Sequence, residues 1–356
     1  MDNNWDLIET NDAGKNANGG TELFMRMLYN GKTIPRDFLL HTQIIPSRIR
    51  ELKNHKIRIL TMHDLPEDPE AQKLKDPNYR LNFHKFVFIS NWQYQQFRTK
   101  MELPYSAQSV VIENALEPID VDFNQKPESS DTVHIAYMTT PHRGLSILVP
   151  IFQEIAKTDK KIHLHVHSSF KMYGWDDADK DFEQLFKICR EHDQITYHGY
   201  TEFNQLREMM KGYHICAYPS IWEETACRQV LEAMSAGMLC VHPNYGALFD
   251  TSGGMNFMYD GSADINEHAS NFHAQLLTAI DAIRNGWDDV KSRLIFNKSY
   301  VDTRYNPALA SLKWKKLIQS LVQKYPTLDS RHLPRIRFEA PKKKQFKEFI
   351  YNTAAR

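Results

Sequence analysis

Two glutamates, Glu224 and Glu232, stand eight positions apart in the stretch "EETACRQVLEAMSAG" (223–237). Along a helix, eight residues rise about 12 Å and leave two side chains about 80° apart. Carboxylates placed this way cannot share a proton or jointly clamp one metal ion. They can touch the two ends of an elongated, polyhydroxylated ligand. The free N–H groups of the first helical turn lie between them and suit an anion. A sugar, a phosphate pair and a ribose fit that order of contacts. Taken alone, the pair also fits a structural reading, with Glu224 complementing the helix dipole and Glu232 on a solvated face.

The elements around the pair are those of a parallel α/β sheet. Val230, Leu231 and Met234 form an apolar stripe at helical spacing, Gly237 is a natural stop, and Thr225 is the predicted N-cap. The apolar runs "YHICAYPS" (213–220) and "MLCVHP" (238–243) predict a strand on either side. The loop before the helix then lies at the carboxyl edge of the sheet, where such proteins bind ligands. The alternation extends upstream through "KIHLHVHSSF" (161–170), "DFEQLFKICREH" (181–192), "ITYHGY" (195–200) and "TEFNQLREMMKGY" (201–213), which predicts a doubly wound sheet. The first third has strand-like runs at 37–45, 56–63, 84–90 and 109–116 and a helical pattern at 91–101. A polar stretch with two prolines, "EPIDVDFNQKPESSDT" (117–132), reads as an interdomain linker. The expected organisation is a first domain over 1–125, a second over 126–305, an amphipathic helix over 306–330 and a basic extension over 331–356.

Composition narrows the classes. Over 356 residues, 44 Lys and Arg balance 44 Asp and Glu, so no overall field favours nucleic acid or a membrane surface. The sequence contains no apolar run of transmembrane length, and "MDNNWDLIET" is not a signal peptide, so the expected location is cytoplasmic. Four cysteines without paired metal spacing fit reduced thiols. Glycine is sparse at 14 residues, which draws attention to Gly19-Gly20 ahead of the helical "TELFMRMLY". A glycine pair at a helix entrance lets a ligand approach the backbone closely; a surface loop is the other reading of it.

Several pieces, in this order, resemble the family-4 retaining glycosyltransferases. "AYPSIWEETACRQVLEAMSAG" is similar to that family's Pro-Ser, Glu, seven residues, Glu-Ala-Met, Gly signature, and "TTPHRGLSIL" (139–148) to its loop with a basic residue before glycine. "ITYHGYTEFNQLREMMKGYHICAYPS" resembles the stretch that precedes the signature; "GGTE", "MHD", "FVFISNWQ" and "IENALEPID" match the first-domain landmarks more loosely. The resemblance spans residues 15 to 260. It implies an α/β GT-B architecture, two Rossmann-like doubly wound domains facing a central cleft, the first reduced in size. It also implies transfer of a sugar from a nucleotide diphosphate sugar to a glycan or other hydroxyl-bearing acceptor, with retention, no metal and no cofactor. By position, Glu224 faces the donor sugar, Glu232 holds the ribose, Thr225 and Ala226 face the pyrophosphate, and Arg143 supplies positive charge. Gly19 and Gly20 line the first domain's side, and His63 lies near the reacting sugar. The family's second basic residue is missing from "AYMTT", so Lys171 is the further candidate cation; Asp250 in "NYGALFD" stands where the family has another glutamate.

Other constellations carry less. "DVD" (120–122) has the form of an Asp-X-Asp metal site but falls in the predicted linker. His163, His165 and His167 share one face of a strand, as zinc ligands or as half-buried sheet residues. "HDLPEDPE" (63–70) reads as an exposed acidic loop. Two other functions remain open: a non-catalytic module binding nucleotide sugars or glycans, and a glycosyltransferase acting on modified nucleic acid bases, for which the basic extension is the only sign.

Overall fold

The structure is a computed structural model; it describes residues 20–29, 34–46, 52–53, 55–104, 106–124 and 132–325. Gly19 and the basic extension 331–356 lie outside the described residues. The described chain falls into two compact units, one of residues 20–115 and 305–325, the other of residues 116–304.

The first unit is built on four parallel strands, β1 (Thr42–Pro46), β2 (Ile57–Met62), β3 (Lys85–Phe88) and β4 (Ser109–Val111), in the order β1-β2-β3-β4. Among the described residues before 116, its helices are α1 (Gly20–Leu28), α2 (Arg36–His41), α3 (Pro77–Arg80) and α4 (Asn91–Met101). A parallel sheet is covered on both faces, and alternate residues go to opposite layers. Ile44, Ile59 and Val87 pack with Phe24 and Leu28 of α1, whereas Ile45, Leu60, Phe86 and Phe88 pack with Tyr94, Phe97 and Met101 of α4. The run 37–45, expected as one strand, divides: Pro35 precedes α2, and the Thr42 hydroxyl donates to the Phe38 carbonyl at 2.9 Å where helix gives way to β1. A continuous apolar run does not distinguish a buried strand from a helix turn. The loop after β2 is less exposed than its acidity suggests, because Asp68 is buried and accepts the Leu65 N–H at 2.7 Å.

The second unit holds six parallel strands, β5 (Val133–Tyr137), β6 (Ile162–Val166), β7 (Ile195–Tyr197), β8 (Ile215–Ala217), β9 (Leu239–Pro243) and β10 (Phe257–Tyr259). They are joined through α5 (Leu145–Thr158), α6 (Glu183–Glu191), α7 (Phe203–Met210), α8 (Arg228–Ser235) and α9 (Leu248–Ser252), and followed by α10 (Ile265–Asn285) and α11 (Trp287–Arg304). The sheet order is β10-β9-β8-β5-β6-β7, which is a doubly wound Rossmann arrangement. The chain runs outward from β5 through β6 to β7, then crosses back to β8 on the other side of β5. The β5/β8 junction is therefore the topological switch point.

Residues 116–124 pack with this unit: the Ile119 N–H donates to Ser235 Oγ at 2.9 Å, and Ile119 is buried. The last helix, α12 (Pro307–Lys324), belongs with the first unit, where Trp314, Ile318 and Leu321 join the core around Phe24. No described helix is long and apolar enough to cross a membrane.

Candidate functional site

Arg143 and Glu224 come from the two loops that flank the switch point. Arg143 ends the single 3-10 turn Pro141–Arg143 that follows β5, and Glu224 lies in the loop that follows β8. Loops leaving adjacent strands toward opposite sides open a crevice at the carboxyl edge, the usual ligand position in this topology. There the two side chains form an ion pair, Arg143 Nη1 on Glu224 Oε1, and the Tyr218 hydroxyl donates to the same oxygen. Glu224 is only 6% exposed. The Arg143 guanidinium also lies over the Trp222 ring, 5.4 Å from its centroid. His142 is stacked on Phe170 and set edge-on to Trp222.

Two glycines permit this closeness. Gly144 has φ +124, and a Cβ there would fall 2.1 Å from the Pro219 carbonyl oxygen, so the two loops touch backbone to side chain-free backbone. Gly246, after β9, has φ +60, and its Cβ would fall 2.5 Å from the Glu224 nitrogen. The Ala247 N–H donates to the Glu224 carbonyl at 2.7 Å, and the Thr251 hydroxyl to the Ala226 carbonyl at 2.9 Å. The Glu224–Ala226 backbone is thus braced by the segment that follows β9.

The charges around Glu224 are fixed in type. Burial, with the Glu224 charge beside them, pushes the Tyr218 hydroxyl and the Cys227 thiol well above their ordinary ranges. Burial, reinforced by Arg143, pushes His142 well below the ordinary histidine range. Tyr218 is therefore a standing hydrogen-bond donor, and His142 is neutral.

Helix α8 starts later than the sequence suggests. Its first residue is Arg228, its cap position is Cys227 with φ 42, and Thr225 and Ala226 form a bend ahead of it. A left-handed Cys is costly for a residue with a Cβ, and nothing in its residue type announces it. Glu224 consequently lies outside the helix, and only Glu232 is on it. Glu232 is 3% exposed and paired with two guanidiniums, Arg207 of α7 and Arg228, the latter at 2.9 Å. Both guanidiniums lie over the Phe203 ring. Burial pushes the Glu232 carboxyl up, and the Arg228 and Arg207 charges pull it back. The solvated-face reading of Glu232 is excluded by that burial.

The other expected residues are placed as follows. Lys171 is exposed, in the short turn after β6, its amine over the Tyr200 ring at 5.8 Å. Asp250 is paired with Arg304 at 3.0 Å. His63, in the first unit, follows β2 at the carboxyl edge of its sheet, with its ring 4.7 Å from that of Phe24. Burial pushes His63 down to about 4, so it is neutral at physiological pH. Gly20 opens α1, and a Cβ there would meet open space.

The metal alternatives take other forms. Asp120 and Asp122 are exposed, and Asp122 accepts the Asn124 N–H at 2.9 Å as a simple turn. The strand histidines bond to one another and to hydroxyls: His134 Nδ1 to His165 Nε2 at 2.9 Å, His165 Nδ1 to His198 Nε2 at 3.1 Å, and His167 to Thr201 and Tyr213. Among the described residues no group of three or more His, Cys, Asp or Glu is placed to hold a metal ion.

Residues 130–275 match the family described as Glycosyl transferases group 1. That segment contains Arg143, Tyr218, Glu224 and Glu232. Comparison with curated protein sequences gives no significant match. Among solved structures, a glycosyltransferase from Rickettsia africae aligns over 87% of this chain and 84% of its own, at a TM-score of 0.63 and 13% identity. HepE of Anabaena, solved with UDP and glucose, aligns over 74% of this chain and 72% of its own, at 0.53 and 14%. The pneumococcal O-GlcNAc transferase GtfA, solved with UDP and GlcNAc, aligns over 76% of this chain and 53% of its own, at 0.56 and 14%. At such identities the likeness shows the fold, GT-B with two Rossmann-like units; the family match supports a glycosyltransferase.

Sequence reasoning did not single out Tyr218, Trp222, Arg207, Arg228 or Gly246. Gly246 carried a signal, a glycine in the loop after a predicted strand. Tyr218 carried none, since its ring reads as core and only its hydroxyl reaches the site.

Proposed function

We propose that the chain is a retaining, family-4-like glycosyltransferase that moves a sugar from a nucleotide diphosphate sugar to an acceptor hydroxyl without a metal ion. The observation that carries this reading is the meeting of Arg143 and Glu224 at the switch point of a segment that matches the group 1 glycosyltransferases. In the reaction the anomeric carbon–phosphate oxygen bond breaks, the acceptor oxygen bonds to that carbon on the same face, and the acceptor proton passes to the leaving phosphate. Negative charge grows on the departing diphosphate. Arg143 meets that charge with a half-buried cation, the kind of preorganised group that lowers such a barrier.

Glu224 serves as the acceptor for sugar hydroxyls, and Glu232 for the ribose. Thr225, Ala226 and the α8 start, now with Arg228 at its first residue, receive the phosphates. Lys171 is a secondary cation. His63, in the first unit, is neutral at physiological pH. HepE with UDP and glucose, and GtfA with UDP and GlcNAc, support the donor class.

The test is a panel of nucleotide sugars and free nucleoside diphosphates, scored first by thermal stabilisation. A donor at a hundred times its Kd stabilises the fold by about 2.7 kcal/mol. The stabilising donor is then followed for nucleoside diphosphate release, with and without EDTA. Stabilisation by one base and EDTA-insensitive turnover are expected; a flat panel would falsify the reading.

A further inference from the structure

Both donors to Glu224 converge on one oxygen. Arg143 Nη1 and the Tyr218 hydroxyl each reach Oε1, and neither reaches Oε2. The two donors differ in what a ligand does to them. A diphosphate carries more charge than one carboxylate and competes for the guanidinium. A phenol has no comparable attraction to phosphate and stays where it is. When Arg143 turns to the phosphates, a carboxylate that is 6% exposed would lose that donor in a poorly solvated place. Such a group rotates away unless another donor holds it.

We propose that Tyr218 is a positioning residue for glycosyl transfer: it holds Glu224 in place while Arg143 is engaged by the donor diphosphate, so that Oε2 remains for the sugar hydroxyls. This rests on the glycosyl-transfer reading of the site. Tyr218 is built for that hold. It is 1% exposed, and its own N–H donates to the Val241 carbonyl at 2.8 Å, which ties it to β9. Its ring packs 6.4 Å from that of Tyr137, whose hydroxyl is spent on the Thr140 carbonyl at 2.8 Å. The Tyr218 hydroxyl turns to the carboxylate.

The experiment compares wild type with Tyr218→Phe, using whichever of UDP-glucose, UDP-N-acetylglucosamine, GDP-mannose or ADP-glucose stabilises wild type. Losing one hydrogen bond to a charged group is expected to lower kcat about tenfold or more. The matching free nucleoside diphosphate should bind with unchanged affinity, since it carries no sugar. A fall in kcat with the diphosphate affinity intact is a split that a merely structural role would not give. In a Glu224→Gln background the same change should cost much less, a coupling that independent sites do not show. Should Tyr218→Phe fail to fold, Tyr218 is replaced by 3,5-difluorotyrosine, which keeps the hydroxyl and changes its strength as a donor; kcat should then depart from wild type with the diphosphate affinity unchanged. Wild-type kcat in the variant that folds overturns the proposal and leaves the glycosyl-transfer reading intact. If no nucleotide sugar stabilises wild type or is turned over by it, the reading fails first and the proposal with it.

Discussion

Arg143 and Glu224, 81 residues apart in sequence, are ion-paired across the β5/β8 switch point, and the Arg143 side chain is still 18% exposed. On the proposed reading, this cation is placed for a diphosphate and its charge is masked by the carboxylate until one arrives. Arg143→Lys keeps the charge and loses the planar fork, which are not equivalent at a paired site. The expected outcome is a fold near wild-type stability with affinity for a nucleoside diphosphate lowered, and affinity for the nucleoside alone unchanged. Calorimetry with the two ligands reads the difference. Equal losses for both would mean that Arg143 does not meet the phosphates.

Glu232 is a structural group as well as a ligand candidate, because it pairs with both Arg207 and Arg228 in a buried position. Removing one partner of such a cluster costs about 3–5 kcal/mol. Glu232→Ala should therefore lower Tm sharply as well as weaken donor binding. Glu232→Gln retains the shape and an acceptor, and separates the effects. With Glu232→Gln, nucleoside diphosphate affinity should fall about tenfold or more. An affinity that stays at the wild-type value removes Glu232 from the ribose.

Gly246→Ala tests the brace behind Glu224. Its new Cβ would lie 2.5 Å from the Glu224 nitrogen and 2.6 Å from its carbonyl oxygen, at φ +60. Gly174→Ala is the control, with φ +70 and open space around the position. The control pays only the left-handed conformation, about 1–2 kcal/mol. Gly246→Ala should lose clearly more than the control in urea denaturation, and lose turnover, because misplacing a reacting group by about an ångström can cost a hundredfold. Equal losses for the two variants would show that the loop after β9 yields and does not fix Glu224.

The parts of the fold legible in the sequence are those set by local pattern. Strands β2, β3, β4, β8 and β9 each sit inside a predicted strand-like run, and the β–α alternation of the second half is a doubly wound sheet in the structure. Three features were not legible. The start of α8 depends on Cys227 taking a left-handed conformation, which residue type does not signal. The amphipathic stripe of α12 says that a face is buried, and not that it joins the core around Phe24. The partners of Glu224 and Glu232 come from other loops and helices, so spacing along one segment could not find Tyr218 or Arg207. The eight-residue spacing that drew attention to the pair is not a helical spacing at all, since only Glu232 is helical.

Acid should destabilise the fold early. Burial pushes His165 and His167 down to about 3, and His63, His84 and His242 down to about 4. Each is neutral in the fold and takes a proton near pH 6.5 once unfolded, so the unfolded chain binds more protons below that value. The stability is fully present above about pH 6.5 and is lost as pH falls toward 4 and 3, at about 1.4 kcal/mol per group per pH unit. Urea midpoints should drop steeply between pH 6.5 and 5. His167→Gln, which retains polar contacts to Thr201 and Tyr213, should lessen the slope by about one group's share. A pH-independent midpoint over that range would contradict the neutral, hydrogen-bonded state of these rings.

The central claim is that Glu224 holds the sugar of a nucleotide sugar donor, and the direct measurement is paired on wild type and Glu224→Gln. Turnover of the stabilising nucleotide sugar is read beside calorimetric affinity for its sugar-free diphosphate. The change preserves shape and removes a charge-assisted acceptor. The account predicts a fall in turnover of about a hundredfold, with diphosphate affinity within a few-fold of wild type because that product has no sugar for Glu224 to touch. Wild-type turnover in Glu224→Gln would contradict it, and would reduce the Arg143–Glu224 pair to a structural tie at the switch point.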